Sequence, residues 1–245
     1  MTVSASRIAA LTAVATLGAT ALGCGVFSRV QQAASNLSTV TEVAQKLKDS
    51  GSLTYTAEYK MLDGATATVV QQPPNVAVIG KDGRFILTAE SIITCGTQAG
   101  KMACQKQKNT SPQGDSTNAA NAAYFSTAAG TGFISAPLAI GVLTVASLSP
   151  GATVEKSERT IAGQKSTCLK ISGIQPDNDP STPDLKEFSA CVTDSGVLAS
   201  FEGLGTDGKN ATVELTRYSS SVDANAFKPP AGAEVTDLDQ LKTPN

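Results

Sequence analysis

Residues 52–61 read Ser-Leu-Thr-Tyr-Thr-Ala-Glu-Tyr-Lys-Met, and apolar and polar residues alternate over this whole stretch. The odd-numbered positions from Leu53 to Met61 are apolar, and the even-numbered positions carry Ser, Thr, Glu or Lys. Because successive side chains of a strand point to opposite faces, the pattern predicts a half-buried strand of an antiparallel sheet. Asp63-Gly64 then signals a hairpin turn, and Pro73-Pro74 ends the returning strand, since proline cannot donate to a ladder.

Short strand-like runs continue this pattern through most of the chain, and about ten strands are expected in all. Beyond residues 52–61, we predict strands at 65–71, 76–79, 84–88, 91–95, 102–106, 153–161, 166–173, 186–193, 197–202 and 211–218. Leu37 to Lys48 has the apolar spacing of a helix. Residues 107–121 are polar and predict a loop, and residues 124–148 form an apolar insert interrupted by glycines and Pro137.

A sheet with one apolar face needs a cover, and only the two apolar helical segments can supply it. The predicted fold class is therefore α+β, mostly β: a curved antiparallel sheet, or half-barrel, covered by the N-terminal helix and the central helical insert. A transmembrane span within 124–148 is the alternative by length, and Pro137 and the scattered Ser and Thr residues disfavour it.

The N-terminus has the pattern of an export signal. Arg7 precedes fifteen uncharged residues from Ile8 to Leu22, a run too short to span a bilayer. The run ends in Ala21-Leu22-Gly23-Cys24, which resembles the bacterial lipobox, in which the cysteine is acylated and becomes the mature N-terminus. The alternatives are an ordinary cleaved signal and an uncleaved anchor over residues 8–27. The expected location is the extracytoplasmic face of the cell membrane, with Cys24 lipid-anchored.

This interpretation divides the chain into four parts: a signal peptide over 1–23, a lipidated N-terminus and tether over 24–36, one domain over 37–237, and a tail over 238–245. The chain has five cysteines, and acylation of Cys24 leaves an even set of four that suits an oxidising compartment. Three pairings are possible. Cys95–Cys104 and Cys168–Cys191 are favoured because each pair lies across a predicted hairpin, and the spacings do not match zinc sites.

The composition argues against catalysis and against nucleic-acid binding. The 245 residues contain no histidine, which excludes Ser-His-Asp and Cys-His arrangements and imidazole metal ligands. A net charge of −2 gives no reason to expect nucleic acid as a partner. Asp177-Asn178-Asp179 lacks the glycine and closing glutamate of a calcium loop. No catalytic residue, metal site or cofactor is predicted.

Several segments resemble the LolA/LppX-type lipoproteins, and most of all the LppX/LprG-like lipoproteins of actinobacteria. These segments are Tyr55-Thr56-Ala57-Glu58-Tyr59, the run from Thr68 to Pro74, the Cys95/Cys104 hairpin, and the closing run from Phe227 to Ala233. The resemblance covers roughly residues 39–237. It implies a half-barrel closed by central helices, with a cavity that holds acyl chains and moves lipids across the envelope.

Two functions of different kinds follow as expectations. In the first, the domain binds or carries a lipid or another amphiphile without catalysis, in a cavity lined by apolar residues of the insert and the first strand. The candidate lining residues are Phe125, Phe133, Ile134, Leu138, Ile140, Val142, Leu143, Leu148, Leu53, Tyr55 and Tyr59. In the second, the same residues form a solid core, and the protein is a structural or interaction lipoprotein of the cell envelope with an unidentified protein partner.

The lipid anchor generates the first prediction. We expect Cys24→Ser to release the protein from the membrane fraction, because the acyl chains are attached through the Cys24 thiol. Fractionation of cells expressing the wild type and the variant measures the change. Retention of the variant in the membrane fraction would contradict the lipobox assignment.

Overall fold

The structure is a computed structural model that describes residues 23–61, 64–110, 136–149, 151–174, 185–205 and 210–242. In these residues, two helices and twelve strands form the framework. The helices are α1 (Gly23–Asp49) and α2 (Ala136–Ser147). The strands are β1 (Tyr55–Met61), β2 (Thr66–Gln72), β3 (Asn75–Gly80), β4 (Gly83–Leu87), β5 (Ser91–Gln98), β6 (Lys101–Lys108), β7 (Thr153–Ile161), β8 (Gln164–Ser172), β9 (Leu185–Thr193), β10 (Leu198–Gly205), β11 (Asn210–Ser219) and β12 (Glu234–Asp237).

All twelve strands belong to one curved sheet that does not close, so the mostly β, α+β class predicted from sequence is confirmed. The strand order is β12-β6-β5-β4-β3-β2-β1-β11-β10-β9-β8-β7. The chain thus makes two antiparallel meanders, β1–β6 and β7–β11. Between them it crosses from one side of the sheet to the opposite edge, and α2 lies in this crossing connection.

The pairing of β1 with β11 joins the two meanders at the centre of the sheet. Its register shifts between Glu58 and Tyr59, where Thr216 is the extra residue of β11. The Thr216 hydroxyl donates to the Glu58 carbonyl over 3.0 Å, and Arg217 Nη1 lies 3.2 Å from Glu58 Oε1. A bulge of this kind bends the strand locally, and it lies where the two halves of the curved sheet meet.

The predicted strands are all present, and the first one is shorter than its sequence pattern. Residues 50–52 form a 3₁₀ turn instead of extending β1. The buried Gln71 side chain of β2 explains this boundary, because its Nε2 donates to the carbonyls of Ser50 at 2.6 Å and Leu53 at 2.9 Å. The strand β12 was not predicted, since four residues carry too little periodicity. It pairs in parallel with β6.

Helix α1 is longer than the predicted Leu37–Lys48 segment. It begins at Gly23, so the residues expected to form a tether are helical, and Cys24 lies in its first turn. Asn36, at the end of the expected tether, is buried, and its side-chain amide donates to the Ala152 carbonyl over 2.8 Å. Asn36 therefore belongs to the part of α1 that packs against the domain.

The two helices pack against each other and against β7–β9. Val40, Val43 and Leu47 recur at spacings of three and four residues along α1 and are almost fully buried. Ala139, Leu143 and Ala146 do the same along α2. These side chains join one apolar cluster with the sheet residues beneath them. Exposed ion pairs at the edge, such as Lys156 with Glu42 at 2.7 Å, add little to stability.

The opposite, outer face of the sheet has a smaller apolar cluster of its own. Val70, Ala77, Ile86 and Ile93 form its floor, and Ala226 and neighbouring residues after β11 pack over them. The chain then reaches β6, where it adds β12. The tail predicted from residue 238 continues this contact, because the Leu238 amide donates to the Lys106 carbonyl at 2.9 Å.

Two disulfides cross-link neighbouring strands. Cys95 pairs with Cys104 between β5 and β6, and Cys168 pairs with Cys191 between β8 and β9. Each bridge joins residues that are directly opposite in the ladder. These are the pairings favoured from sequence, and the presence of disulfides is confirmed.

The turn between β9 and β10 packs closely against α1, and a substitution in this turn tests that contact. Gly196 has a φ of +96°, and a Cβ at this position would lie 2.2 Å from the Lys46 carbonyl oxygen of α1. We expect Gly196→Ala to lower the free energy of unfolding by roughly 3 kcal/mol or more, because backbone strain and a backbone clash add together. Urea denaturation measures the change.

Gly100→Ala is the matched control, since Gly100 has a φ of +77° and open space around its Cβ position. This variant should lose only about 1–2 kcal/mol, the cost of a left-handed alanine. Equal losses for both variants would mean that α1 is not seated against the turn.

Candidate functional site

In the spatial order of the strands, the concave face of the sheet is continuously apolar from β4 through β1 and β11 to β8. The buried side chains on this face form a single cluster with the inner sides of α1 and α2. The strand residues that contribute most are Tyr55, Ala57, Tyr59, Met61, Val69, Val78, Phe85, Leu87, Leu169, Ile171, Phe188, Phe201, Val213 and Leu215. Aromatic rings lie on both halves of the face, and the Phe188 and Phe201 rings stack with centroids 5.8 Å apart.

Three tyrosines of β1 and β11 mark the centre of this face. The Tyr55 and Tyr218 rings stack with centroids 6.2 Å apart, and the Tyr59 hydroxyl donates to the Leu198 carbonyl over 2.9 Å. Burial raises the pKa of both Tyr55 and Tyr59 above that of an exposed tyrosine. Both hydroxyls therefore stay neutral at physiological pH, and the Tyr59 hydroxyl is a buried hydrogen-bond donor on this apolar surface.

Helix α2 covers part of the concave face and is apolar on both of its sides. Its twelve residues include no charged residue. The polar side chains Thr144 and Ser147 donate back to carbonyls of the same helix, Ile140 and Thr144 respectively, each at 2.8 Å. The contact between α2 and its neighbours is thus made by apolar surface.

The structure brings together six of the eleven residues predicted to line a cavity. Leu143, Tyr55 and Tyr59 are buried in the cluster, and Leu53, Ile140 and Val142 are partly buried against it. Phe125, Phe133 and Ile134 lie outside the described residues.

The remaining two candidates, Leu138 and Leu148, do not face the interior. Leu138 is 40 % exposed and Leu148 58 % exposed. The reason is helical geometry: at about 100° per residue, they lie on the side of α2 away from Ala139, Leu143 and Ala146. Sequence reasoning grouped all apolar residues of the insert together, because an insert that is apolar all round has no polar side to show its orientation.

A separate polar depression lies at the end of the sheet where the β7–β8 hairpin meets the β9–β10 turn. It has a volume of about 400 Å³ and is lined by Glu158, Arg159, Thr160, Lys165, Ser166, Thr167 and Asp194. Two of its side chains are cationic (Arg159 and Lys165) and two are carboxylates (Glu158 and Asp194). This depression was not predicted, since its residues come from the adjoining ends of β7 and β8 and from the β9–β10 turn, which only the folded sheet brings together.

Other chemistry finds little support in the described residues. They contain no group of three or more His, Cys, Asp and Glu side chains that could hold a metal ion. Among the same residues, neither helix is long and apolar enough to cross a membrane. The concave apolar face and its helix α2 therefore form the candidate site, and its chemistry is the burial of apolar surface.

Comparisons with known proteins do not supply a function. No protein-family model and no curated protein matches this chain. Similar solved structures include an uncharacterized conserved protein from Thermus thermophilus, which has 11 % sequence identity and a TM-score of 0.46. The match covers 81 % of this chain and 99 % of that protein.

The buried hydroxyl of Tyr59 generates the next prediction. We expect Tyr59→Phe to lower the free energy of unfolding by about 1–3 kcal/mol, because the Leu198 carbonyl loses its donor inside the core. Chemical denaturation of the variant and the wild type measures the loss. Tyr218→Phe is the control, and its effect should be smaller because Tyr218 is only half-buried. An unchanged stability of Tyr59→Phe would contradict a structural role for this hydrogen bond.

Proposed function

We propose that this protein is a membrane-anchored extracytoplasmic lipoprotein that binds or carries a lipid or another amphiphile without catalysis. The ligand's acyl chains would lie between α2 and the concave face of the sheet. The observation that carries the proposal is the contact between these two surfaces, which is apolar on both sides.

The acyl chains of a lipid can replace the side chains that form an apolar contact of this kind. Burial of apolar surface is non-directional and depends on area, so methylene groups can replace side chains in it at similar free energy. Each buried methylene contributes about 0.8 kcal/mol. Because the hydroxyls of Thr144 and Ser147 bond within α2, the helix can move from the sheet without breaking those hydrogen bonds.

The curved shape of the sheet supports the same proposal. An unclosed sheet leaves its concave face to be covered by other elements, and α1 and α2 contact mainly β7–β9. The resemblance to the LppX/LprG-like lipoproteins implies a half-barrel with a lipid as cargo, and the proposal adopts this implication.

The proposed location is the extracytoplasmic side of the membrane. Two disulfides suit an oxidising compartment. Acylation of Cys24 would place the anchor at the start of α1, and two or more acyl chains hold a protein firmly on a bilayer.

The second candidate function is a solid-core interaction lipoprotein of the cell envelope. The observation in its favour is the full burial of Leu143, Tyr59 and Ile171, whose exposed fractions do not exceed 2 %. Under this alternative, α2 does not leave the sheet, and a surface of the domain binds a protein or a cell-wall polymer.

Mass spectrometry of the full chain from an actinobacterial host distinguishes the two candidates. A non-covalent mass that is present under native conditions, absent after denaturation, and identified as a lipid would support the carrier. Absence of such a mass across preparations, including those incubated with candidate lipids, would favour the solid core.

A substitution at the contact tests where the ligand lies. We expect Ile140→Trp to abolish lipid uptake while the fold survives, because Ile140 is partly buried against the cluster and a larger ring fills the space that an acyl chain needs. Leu143 is a poorer choice, since it is fully buried and a tryptophan there would overpack the core.

The control for this variant is Val235→Trp, at a 44 % exposed position on β12. Circular dichroism and denaturation establish that both variants fold, and native mass spectrometry measures the bound lipid. Undiminished uptake by folded Ile140→Trp would exclude the space beneath α2 as the binding site.

A further inference from the structure

We propose that the exposed side of α2, together with Leu37 of α1, is a docking surface for the lipid bilayer itself. It would seat the domain on the membrane with α2 at the interface. The inference rests on the proposed function for the anchor at Cys24, and it adds a second, non-covalent contact with the membrane.

The exposed side of α2 is a continuous apolar stripe. Leu138, Gly141 and Val145 of α2 and Leu148, the first residue after α2, follow one another at spacings of three, four and three residues, so they lie along one side. Val145 is 70 % exposed. We call these four residues the outer stripe.

Exposed apolar side chains are concentrated in this part of the molecule. Six large apolar side chains are exposed in the described part of the chain. Three of them belong to the outer stripe, a fourth is Leu37, and the other two are Val235 in β12 and Leu241 four residues after β12 ends. A contiguous apolar surface of this kind marks an interaction site, whereas scattered single residues do not.

The stripe ends at the side of the domain from which the anchor leaves. Ala152 donates its amide to the Ser149 carbonyl, one residue after Leu148, and accepts a hydrogen bond from Asn36, the neighbour of Leu37. From Asn36, α1 continues for twelve residues to Cys24, roughly 18 Å at 1.5 Å per residue. The anchor, Leu37 and the C-terminal end of the outer stripe therefore share one side of the domain.

The composition of the surface favours a bilayer over a protein partner. Protein interfaces are enriched in aromatic residues and arginine, and the outer stripe has neither. A helix that presents Leu and Val to a membrane inserts them at the boundary of the headgroups. An anchor holds the domain at a high effective concentration near the bilayer, so even a weak apolar contact is populated.

Docking would place α2 between the bilayer and the sheet, with one side of the helix against each. Its outer stripe would contact the bilayer, while Ala139, Leu143 and Ala146 face the concave sheet. A lipid that leaves the bilayer would then meet the proposed binding space after crossing the thickness of a single helix.

A single introduced tryptophan tests the docking, because the chain has no tryptophan of its own. The full chain with Leu148→Trp is purified from bacterial membranes and reconstituted into phosphatidylglycerol–phosphatidylethanolamine vesicles, with or without brominated acyl chains. We expect a blue-shifted emission maximum and the loss of most of the emission in brominated vesicles. Val235→Trp is the control, and it should emit as a water-exposed residue with little quenching.

The proposal is overturned if Leu148→Trp and Val235→Trp give the same emission and quenching. It is also overturned if Leu148→Trp is shifted without lipid quenching and Val145→Glu converts a dimer into a monomer in sedimentation, because the occupant would then be a second copy of the chain. In either case, unchanged lipid in the native mass spectrum would leave the proposed carrier function standing.

A result in which the domain docks on the bilayer but holds no lipid also distinguishes the docking surface from the carrier function. Quenching of Leu148→Trp in vesicles by a protein that retains no lipid would support the docking surface and count against the carrier. Adding Val145→Glu to Leu148→Trp should then reduce the quenched fraction roughly tenfold, since it removes the burial of one apolar side chain.

Discussion

The pairing of β1 with β11 is the contact on which the rest of the structure depends. It joins two meanders whose other strand pairs are local, and it links residues far apart in the chain, such as Glu58 and Thr216, which are 158 positions apart. Closing so long a loop costs conformational entropy that only the completed sheet can offset. Once β1 lies between β2 and β11, Tyr55, Ala57, Tyr59 and Met61 are all buried, and the concave faces of both meanders become one surface.

A curved sheet that does not close leaves one apolar face that other elements must bury. The two helices bury it through different kinds of contact. α1 is held by directional contacts, including the Asn36 hydrogen bond and the close approach of Lys46 to Gly196. α2 makes its contact with apolar surface, and its hydroxyls bond within the helix. Under the proposed function, α1 would be the fixed element of the helix layer, and α2 would be the element that a lipid displaces. The proposed binding of an amphiphile follows from this division.

The candidate site was partly predictable from the residues alone. The alternation of residues 53–61 identified the inward side chains of β1, because a period of two has only two possible faces. The same period of two places Cys168 and Cys191 on the face opposite Leu169 and Ala190, which are the next pair in the register. The insert gave no such signal. Leu138, Leu143 and Leu148 are equivalent in composition, and only the packing of α2 against α1 separates Leu143, which is buried, from the two that are exposed.

The sequence by itself determined the mostly β class, the approximate positions of β1–β11 and the absence of histidine chemistry, and it favoured one of three disulfide pairings. Each of these depends on residue type or local periodicity. The tertiary structure alone decided the strand order, the helical continuation of α1 to Gly23, the parallel strand β12 and the polar depression between two turns. It also decided which side of α2 is exposed. These features depend on contacts between residues far apart in the chain. A local sequence pattern shows which side chains are apolar, but it does not show which apolar surfaces pack together.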